Sequence, residues 1–319
     1  MMEKGINKEN TVGKVEILLS YYNGGDYFLE QLDSILKQSY PGKIIIRIRD
    51  DGSPRVNAEK TMEKVVCPEN REIIVEREKN IGACKSFLSL IQSAGEADYY
   101  FFADQDDVWK KNKIQKAVDR MKDKEKHCTM WCSNYTITDQ NLDTIVESGV
   151  ELETRTFHFL RAVFFNTFPG CVIGINWKLM KLLKELNLTN CMMHDSVVFA
   201  VAIATGDVLY DNEPLIYHRI HGNNVIGYGN KKIEPMKWIK SKMKLLIYKE
   251  DYDVSELGRR LLSLKDIPLK DSVYNDVVLL RDYKSSLGKT LGLRFHPDIK
   301  DGVNRCSISI HSKILLHLF

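Results

Sequence analysis

Tyr99-Tyr100-Phe101-Phe102-Ala103-Asp104-Gln105-Asp106-Asp107 joins an apolar run to three carboxylates within four residues. A short apolar run halted by polar residues is the pattern of a strand buried on both faces. Three neighbouring carboxylates repel one another unless a cation or hydrogen bonds compensate. A divalent cation bridging carboxylates and phosphate oxygens is one solution. A solvated acidic turn or a helix N-terminus, where Asp is common, is the other reading. The strand before the cluster favours the first, because open parallel sheets bind ligands at the carboxyl ends of their strands.

The pattern repeats upstream. Val15–Ser20 is a short apolar strand. Asp26 can cap the following segment, in which Phe28, Leu32, Ile35 and Leu36 share one helical face. Ile44–Arg49 is rich in β-branched residues and stops at Asp50-Asp51-Gly52-Ser53. A charged helical segment is expected to about Val66, a strand at Ile73–Val75, and a helix opened by Asn80-Ile81-Gly82 that reaches Ala94. This βαβαβαβ alternation argues for an α/β fold with a parallel sheet and helices on both faces. Downstream, Met130–Asn134, Cys171–Ile175 and Leu215–His218 read as strands, and Lys178–Leu186 and Asp195–Ala204 as helices. The composition turns Lys-rich and helical after Gly227. The expected division is a tail over residues 1–13, an α/β domain over 14–227 and a basic, mainly helical extension over 228–319.

The apolar fraction of 44% is that of a chain with a real core, and a net charge of +3 does not suggest a nucleic-acid partner. The seven cysteines are odd in number, scattered and without a CxxC pair, so free thiols in a reducing cytosol are expected. Met1–Val12 lacks the apolar core of a signal peptide, and no apolar run is long enough to span a bilayer. Lysines cluster from Lys231 to Lys249, opposed before Glu250 only by Glu234. Met236, Ile239, Met243 and Leu246 recur there at helical spacing beside Trp238. Such a helix can lie on an anionic membrane or pack on the protein with its lysines solvated.

Three further stretches bear on chemistry. Asp50-Asp51-Gly52-Ser53 can meet a nucleotide base or ribose, although it is also an ordinary turn sequence. Asp195 can cap a helix or act as a general base on an attacking hydroxyl. In Tyr217-His218-Arg219-Ile220-His221-Gly222-Asn223-Asn224, His221 can ligate a metal and Arg219 can pair with phosphate, or the stretch is simply a polar strand end.

Taken together these stretches resemble the family 2 glycosyltransferases, and within them the bacterial rhamnosyltransferase-like branch. The matching segments are Ser20-Tyr21-Tyr22-Asn23-Gly24, Leu32-Asp33-Ser34-Ile35, Asp50-Asp51-Gly52-Ser53, Asn80-Ile81-Gly82, Phe102 to Trp109, Pro169-Gly170-Cys171, His194-Asp195 and Glu213-Pro214-Leu215 through Asn224, in the family's order. The resemblance implies a Rossmann-like nucleotide-diphospho-sugar transferase fold of GT-A type, with a helical C-terminal extension beyond the match. It implies inverting transfer by direct displacement with Mg²⁺ or Mn²⁺, held by Asp104, Asp106 and His221. It puts Tyr22, Asn23, Asp50, Asp51, Asn80, Gly82, Asp104, Gln105 and Arg219 on the donor. Gly170, Cys171 and His194 fall on the acceptor side, and Asp195 matches the catalytic base.

The implied partners are a dTDP- or UDP-sugar donor, with dTDP-rhamnose the leading guess, and a glycan or lipid-linked glycan acceptor in bacterial surface polysaccharide synthesis. An anionic membrane surface at the inner face of the plasma membrane and a homodimer are left open. One departure matters: relatives often carry aromatic residues after His-Asp, whereas Ser196-Val197 follow here, which leaves the acceptor unread. A catalytically silent sugar-nucleotide-binding scaffold would keep the fold but lose the acid cluster or the base. A nucleotidyltransferase would need basic residues in the loop at Ser20-Tyr21-Tyr22-Asn23-Gly24-Gly25, which has none.

Overall fold

Strands β1 (Val15–Tyr21), β2 (Ile44–Asp50), β3 (Arg71–Arg77) and β4 (Tyr99–Ala103) pair in parallel in the order β3-β2-β1-β4. The computed structural model describes residues 12–150, 156–165, 167–221, 252–265, 269–300 and 307–319. Crossover helices α1 (Gly25–Leu36), α2 (Ala58–Thr61) and α3 (Ala83–Ser93) join these strands. Ile44, Ile46 and Ile48 are fully buried, as expected of a parallel sheet covered on both faces. The polar positions inside the sheet are paired: Arg47 donates to Glu16 on β1 and Glu76 on β3, each at 2.7 Å. The register sets Tyr21 beside Asp50, Asp50 beside Arg77, and Leu19 beside Ala103. The carboxyl ends of the four strands therefore open on one rim.

Helix α2 is much shorter than the segment to Val66 suggested. The chain turns at residues 62–64, and beyond them Val65 and Val66 are β-branched and Pro68 disfavours helical backbone at Cys67, which opposes helix in the stretch up to β3. Beyond β4 the chain forms β5 (Val108–Trp109), α4 (Lys113–Met121), β6 (Cys128–Thr138), β7 (Thr144–Val146), α5 (Phe159–Phe164), β8 (Ile173–Asn176), α6 (Trp177–Leu186), α7 (His194–Thr205) and β9 (Gly206–Arg219). Here the sheet is mixed rather than parallel. β8 runs antiparallel to β4 and β6, β9 runs parallel to β6, and β5 closes antiparallel on β9. Gly174 lets β8 approach β4, since a Cβ there would fall 2.6 Å from the Phe101 ring. The β6–β9 ladder slips beside Asn134, opposite Pro214, which has no N–H to give. The buried Asn134 amide fills the break, donating to Val150 O at 2.9 Å and accepting from Tyr135 N at 2.8 Å.

The extension is helical where it is described, with α8 (Val254–Ser263), α9 (Asp271–Asp282), α10 (Leu287–Arg294), α11 (Pro297–Lys300) and α12 (Ser307–Leu315). Leu257, Leu261, Val277, Leu280, Leu293 and Ile314 join the same hydrophobic core as the sheet. Lys270 N donates to Ala204 O at the end of α7, and His158 at the head of α5 meets Asp298 at 3.1 Å. Phe319 is buried against Phe164 and Tyr252. Among the described residues no helix is long and apolar enough to cross a membrane. The basic stretch at residues 233–249 and the boundary at Tyr228 lie outside the described residues.

Arg71, at the start of β3, organises the amino end of the sheet. Its buried guanidinium donates to the carbonyls of Gln38 (2.8 Å), Tyr40 (3.0 Å) and Gly42 (3.0 Å) in the α1–β2 loop. Arg71→Met keeps the apolar stem but leaves those buried acceptors unmatched. We expect it to lower unfolding free energy by about 2–4 kcal/mol in urea titration; a loss under about 0.5 kcal/mol would show that water replaces the guanidinium.

Candidate active site

Four loops leave the rim, and their own side chains lace them together. After β1, Tyr22 N donates to Gln105 Oε1 at 2.7 Å, and Gln105 Nε2 returns a bond to Tyr22 O at 3.1 Å. Gln105 thus clips the first loop to the acid cluster. Asn23, held at φ 50°, donates its N–H to Ser53 Oγ at 3.0 Å and accepts from Arg55 N and Val56 N. Asp51 accepts from Ile81 N and Gly82 N, both at 2.9 Å, and pairs with Arg49. Gly52 is required where it stands: its φ is +71°, and a Cβ would meet Asn80 N at 2.8 Å. Asp50, expected on the donor, is 1% exposed, with one oxygen on Ser53 N (2.8 Å) and the other on Ala58 N (3.1 Å). Its carboxylate is committed to the turn and to the head of α2.

The acid cluster sits at the end of β4, and β9 reaches it because of one register. Val108 pairs with Tyr217 and Trp109 with Ile216, which sets Asp107 opposite His218. His218 Nδ1 lies 2.8 Å from Asp107 Oδ1, and His221 Nε2 lies 2.8 Å from Asp106 Oδ2. Burial and the Asp107 and Asp106 charges push the Asp104 carboxyl up to about 8. Burial and Asp107 also raise Asp106, against the pull of His221. For Asp107, burial acts upward, but the charge and hydrogen bond of His218 outweigh it and the carboxyl ends below its usual range. Conversely, burial lowers His218 while Asp107 lifts it to about 9.

Among the described residues, the groups whose ligand atoms all lie within 4.8 Å of one another are Asp107, Cys171 and His218 here and Asp276, His296 and Asp298 in the extension. Of the expected ligands Asp104, Asp106 and His221, the structure joins His221 to Asp106. These three offer carboxylate oxygens and an imidazole. The crowded charge there is what a divalent cation relieves, so hard ions such as Mg²⁺ or Mn²⁺ fit these donors. Burial pushes the Cys171 thiol well above its usual value, so it stays protonated and soft. The set of Asp107, Cys171 and His218 fits the hard ions poorly and acts as a hydrogen-bonded floor beneath the expected ligands. Lys113 is fully buried nearby, with Nζ 3.3 Å from the Trp109 ring centroid, and burial draws it down to about 7.

Arg219 differs from expectation. Its side chain is 1% exposed, paired with Glu30, donating to Gln140 O at 2.9 Å and lying 4.2 Å over the Tyr27 ring. It braces α1 against β9 instead of presenting a free fork to phosphate.

Asp195 is not the cap of its helix. Met193 holds that place, and Asp195 is the second residue of α7, 2% exposed. Its Oδ2 accepts from Gly170 N at 3.1 Å and its Oδ1 from Ser196 N at 2.7 Å. Its charge is near enough to add to the upward shift of Asp104. His194 is 4% exposed and stacks on Phe87 with centroids 3.9 Å apart. Burial lowers its pKa, so the ring is neutral at ordinary pH. Gly170 is needed against it, because a Cβ would fall 2.4 Å from His194 Nε2. Gly170, Cys171 and His194 were expected on the acceptor. All three are buried; Gly170 holds Asp195 through its N–H, while Cys171 lies with Asp107 and His218.

Asp107, His218, Glu30 and Lys113 were missed in the sequence. Asp107 stood in the acid cluster and His218 in the polar strand end, but only the β5–β9 register brings them together.

The fold and site define an α/β protein with carboxylates and imidazoles clustered at the carboxyl rim of the parallel part of its sheet. The family model described as glycosyl transferase family 2 matches residues 16–184, and the chain belongs to that family. It is 28% identical over 229 residues to the dTDP-rhamnosyl transferase RfbG of Shigella flexneri, covering 66% of this chain and 73% of that protein. It is 25% identical over 244 residues to the putative teichuronic acid biosynthesis glycosyltransferase TuaG of Bacillus subtilis, covering 74% and 87%. Among solved structures, S. aureus TarS 1-349 in complex with UDP-GlcNAc superposes with a TM-score of 0.51 at 13% identity, over 95% of this chain and 83% of that one. The mannosyltransferase PcManGT of Pyrobaculum calidifontis, in complex with GDP-Man and Mn2+, gives 0.51 at 12% identity, over 97% and 81%. The fold is the GT-A fold of these transferases, with helices added at the C-terminal end.

The His218–Asp107 pair gives a titration. Its raised pKa means His218 contributes its full stability below about 6.5 and loses that contribution as pH rises through 9. In metal-free protein, NMR should follow one imidazole titrating near 9, and Asp107→Asn should bring it down by at least one unit. A His218 that titrates near 6.5 in the parent would mean the pair is not formed.

Proposed function

We propose that the chain is an inverting glycosyltransferase that moves a sugar, with rhamnose the leading guess, from a nucleoside-diphosphate donor to a glycan acceptor in bacterial surface polysaccharide synthesis. The observation that carries this reading is Asp104-Gln105-Asp106 at the end of β4, clipped to the β1 loop and facing Asp195 on α7. The nucleotide sugars named with TarS and PcManGT, and the dTDP-rhamnose transfer named for RfbG, support a donor of this class.

Tyr22, Asn23, Asn80 and Gly82 line the rim where the nucleoside lies, and Asp50, Asp51 and Gln105 hold that rim in shape. Asp104, Asp106 and His221 would hold the divalent cation, which would supply charge neutralisation for the departing diphosphate. The Mn2+ present with PcManGT supports that use, with Mg²⁺ the alternative. Asp195 accepts the proton of the acceptor hydroxyl as that oxygen attacks the anomeric carbon from the face opposite the diphosphate. The new glycosidic bond forms as the bond to the diphosphate breaks, so configuration inverts and no protein nucleophile is needed. The two backbone N–H bonds to Asp195 fix its direction before the acceptor arrives. Beside it Val163, Leu188, Met193, Val197, Val254 and Leu257 line an apolar recess, which supports an acceptor with an apolar part, such as a lipid-linked glycan.

Asp195→Asn keeps the side chain's size but cannot take the proton. Donor affinity measured by calorimetry should hold while transfer falls about 10²–10⁴-fold. Asp106→Ala, or chelator applied to the parent, should remove transfer, and Mg²⁺ or Mn²⁺ should restore only the chelated parent. Full transfer by metal-free parent protein would refute the cation's role. A parent that binds donors but turns over none of a panel of nucleotide sugars would make the chain a binding scaffold.

A further inference from the structure

Cys84 and Cys191 stand 107 positions apart in the chain, yet their sulfurs touch. Sγ meets Sγ at 2.8 Å, and Cys84 Sγ also donates to Cys191 O at 3.2 Å. We infer that Cys84 and Cys191 are a modification site: a reversible disulfide that ties the donor rim to the loop carrying the base. The effect on turnover rests on the function proposed above; the cross-link itself does not.

The two positions are unlike in a way that suits this chemistry. Cys84 is partly exposed in the first turn of α3, where the helix dipole favours a thiolate. The hydrogen bond with Cys191 is the chief reason its thiol lies below the usual value, against the effect of burial. Cys191 is buried, and the neighbouring Cys84 raises its thiol. Cys84 is thus the thiol that a solvent-borne oxidant reaches first, and Cys191 is the one that resolves. Other thiols of the structure lack such a neighbour: Cys128, Cys132 and Cys171 are buried and Cys67 is exposed, and among the described residues no other pair of sulfurs is in contact.

The oxidant is a low-molecular-weight disulfide. The Cys84 thiolate attacks one of its sulfurs, forming a mixed disulfide and releasing one small thiolate. Capping Cys84 removes the charge that held the Cys191 proton. Cys191 then loses that proton and attacks the Cys84 sulfur, expelling the second small thiolate. Two protein thiols give up two electrons and two protons in all, and one small disulfide becomes two small thiols.

The bond joins sensitive points. Cys84 lies two residues after Gly82, whose N–H holds Asp51 at 2.9 Å. Cys191 lies four residues before Asp195, in the stretch between α6 and α7. Fixing that separation stops the base loop from yielding when acceptor enters or product leaves. Where such a loop step limits kcat, freezing it slows turnover.

The test treats the full-length parent, Cys84→Ser and Cys191→Ser with oxidised glutathione, maps peptides by mass and measures transfer. The parent should yield a peptide pair joined through Cys84 and Cys191, two hydrogens lighter than its parts. Its turnover should fall about tenfold and recover with dithiothreitol. Cys191→Ser should instead retain glutathione on Cys84, and neither variant should lose activity by cross-linking. Glutathione on Cys84 of the parent with no joined peptide would overturn the site. A complete cross-link with unchanged turnover would overturn the switch. If the parent transfers no sugar at all, the function proposed above fails, while the joined peptide still decides the cross-link.

Discussion

Three carboxylates end one buried strand, and most of what surrounds them serves to hold that charge in place. Asp104, Asp106 and Asp107 follow β4, whose residues are buried on both faces. Burial and mutual repulsion raise Asp104 and Asp106. The protein answers with two imidazoles, His218 on Asp107 and His221 on Asp106, rather than with a buried guanidinium. Asp107 keeps its charge because His218 keeps a proton, and that pair forms the layer under the cluster. What remains above it is an oxygen-rich set short of positive charge. The same electrostatic deficit that makes the site costly to fold is the one that the proposed cation would relieve.

Geometry follows from that need. A fully parallel sheet would put only loops near the acids. The turn to a mixed sheet after β4 lets β9 run back along β6 and pair with the two residues of β5. That short antiparallel pairing carries His218 and His221 to the cluster, and Arg219 locks the strand end against Glu30 and Tyr27. Asp195, the proposed base, arrives from another direction. Phe87 on α3 stacks on His194, Gly170 leaves room for the ring, and its N–H turns Asp195 toward the acids. The rim, the acid cluster and Asp195 are thus positioned by three separate packing arrangements that meet at the carboxyl end of the sheet.

Much of this was legible in the chain. The alternation of apolar strands and amphipathic helices before Asp104 decides the parallel half of the sheet, because buried strands need continuous apolar runs. Family resemblance supplied Asp104, Asp106, Asp195 and His221 as the set proposed above, and the structure joins His221 to Asp106. The direction of buried polar side chains was not legible. Arg219 looks like a phosphate ligand by type, and only the position of Glu30 on α1 shows otherwise. Asp50 reads as a ligand until Ser53 N and Ala58 N claim both oxygens. His218 and Cys191 depend on contacts across about a hundred residues, which local pattern does not encode. The short α2 was missed for a simpler reason: charged composition suggested helix, while the chain turns at residues 62–64 and Val65, Val66 and Pro68 oppose helix beyond them.

The most direct measurement is a crystal structure of the chain soaked with Mn²⁺ and a nucleoside diphosphate, with the ion located by its anomalous scattering. The expected map puts Mn²⁺ between the carboxylates of Asp104 and Asp106, within reach of His221, with diphosphate oxygens completing its shell and the nucleoside over the Tyr22–Asn23 and Asp51–Gly82 rim. An ion seated instead among Asp107, Cys171 and His218, or a nucleotide bound away from the strand ends, would contradict it.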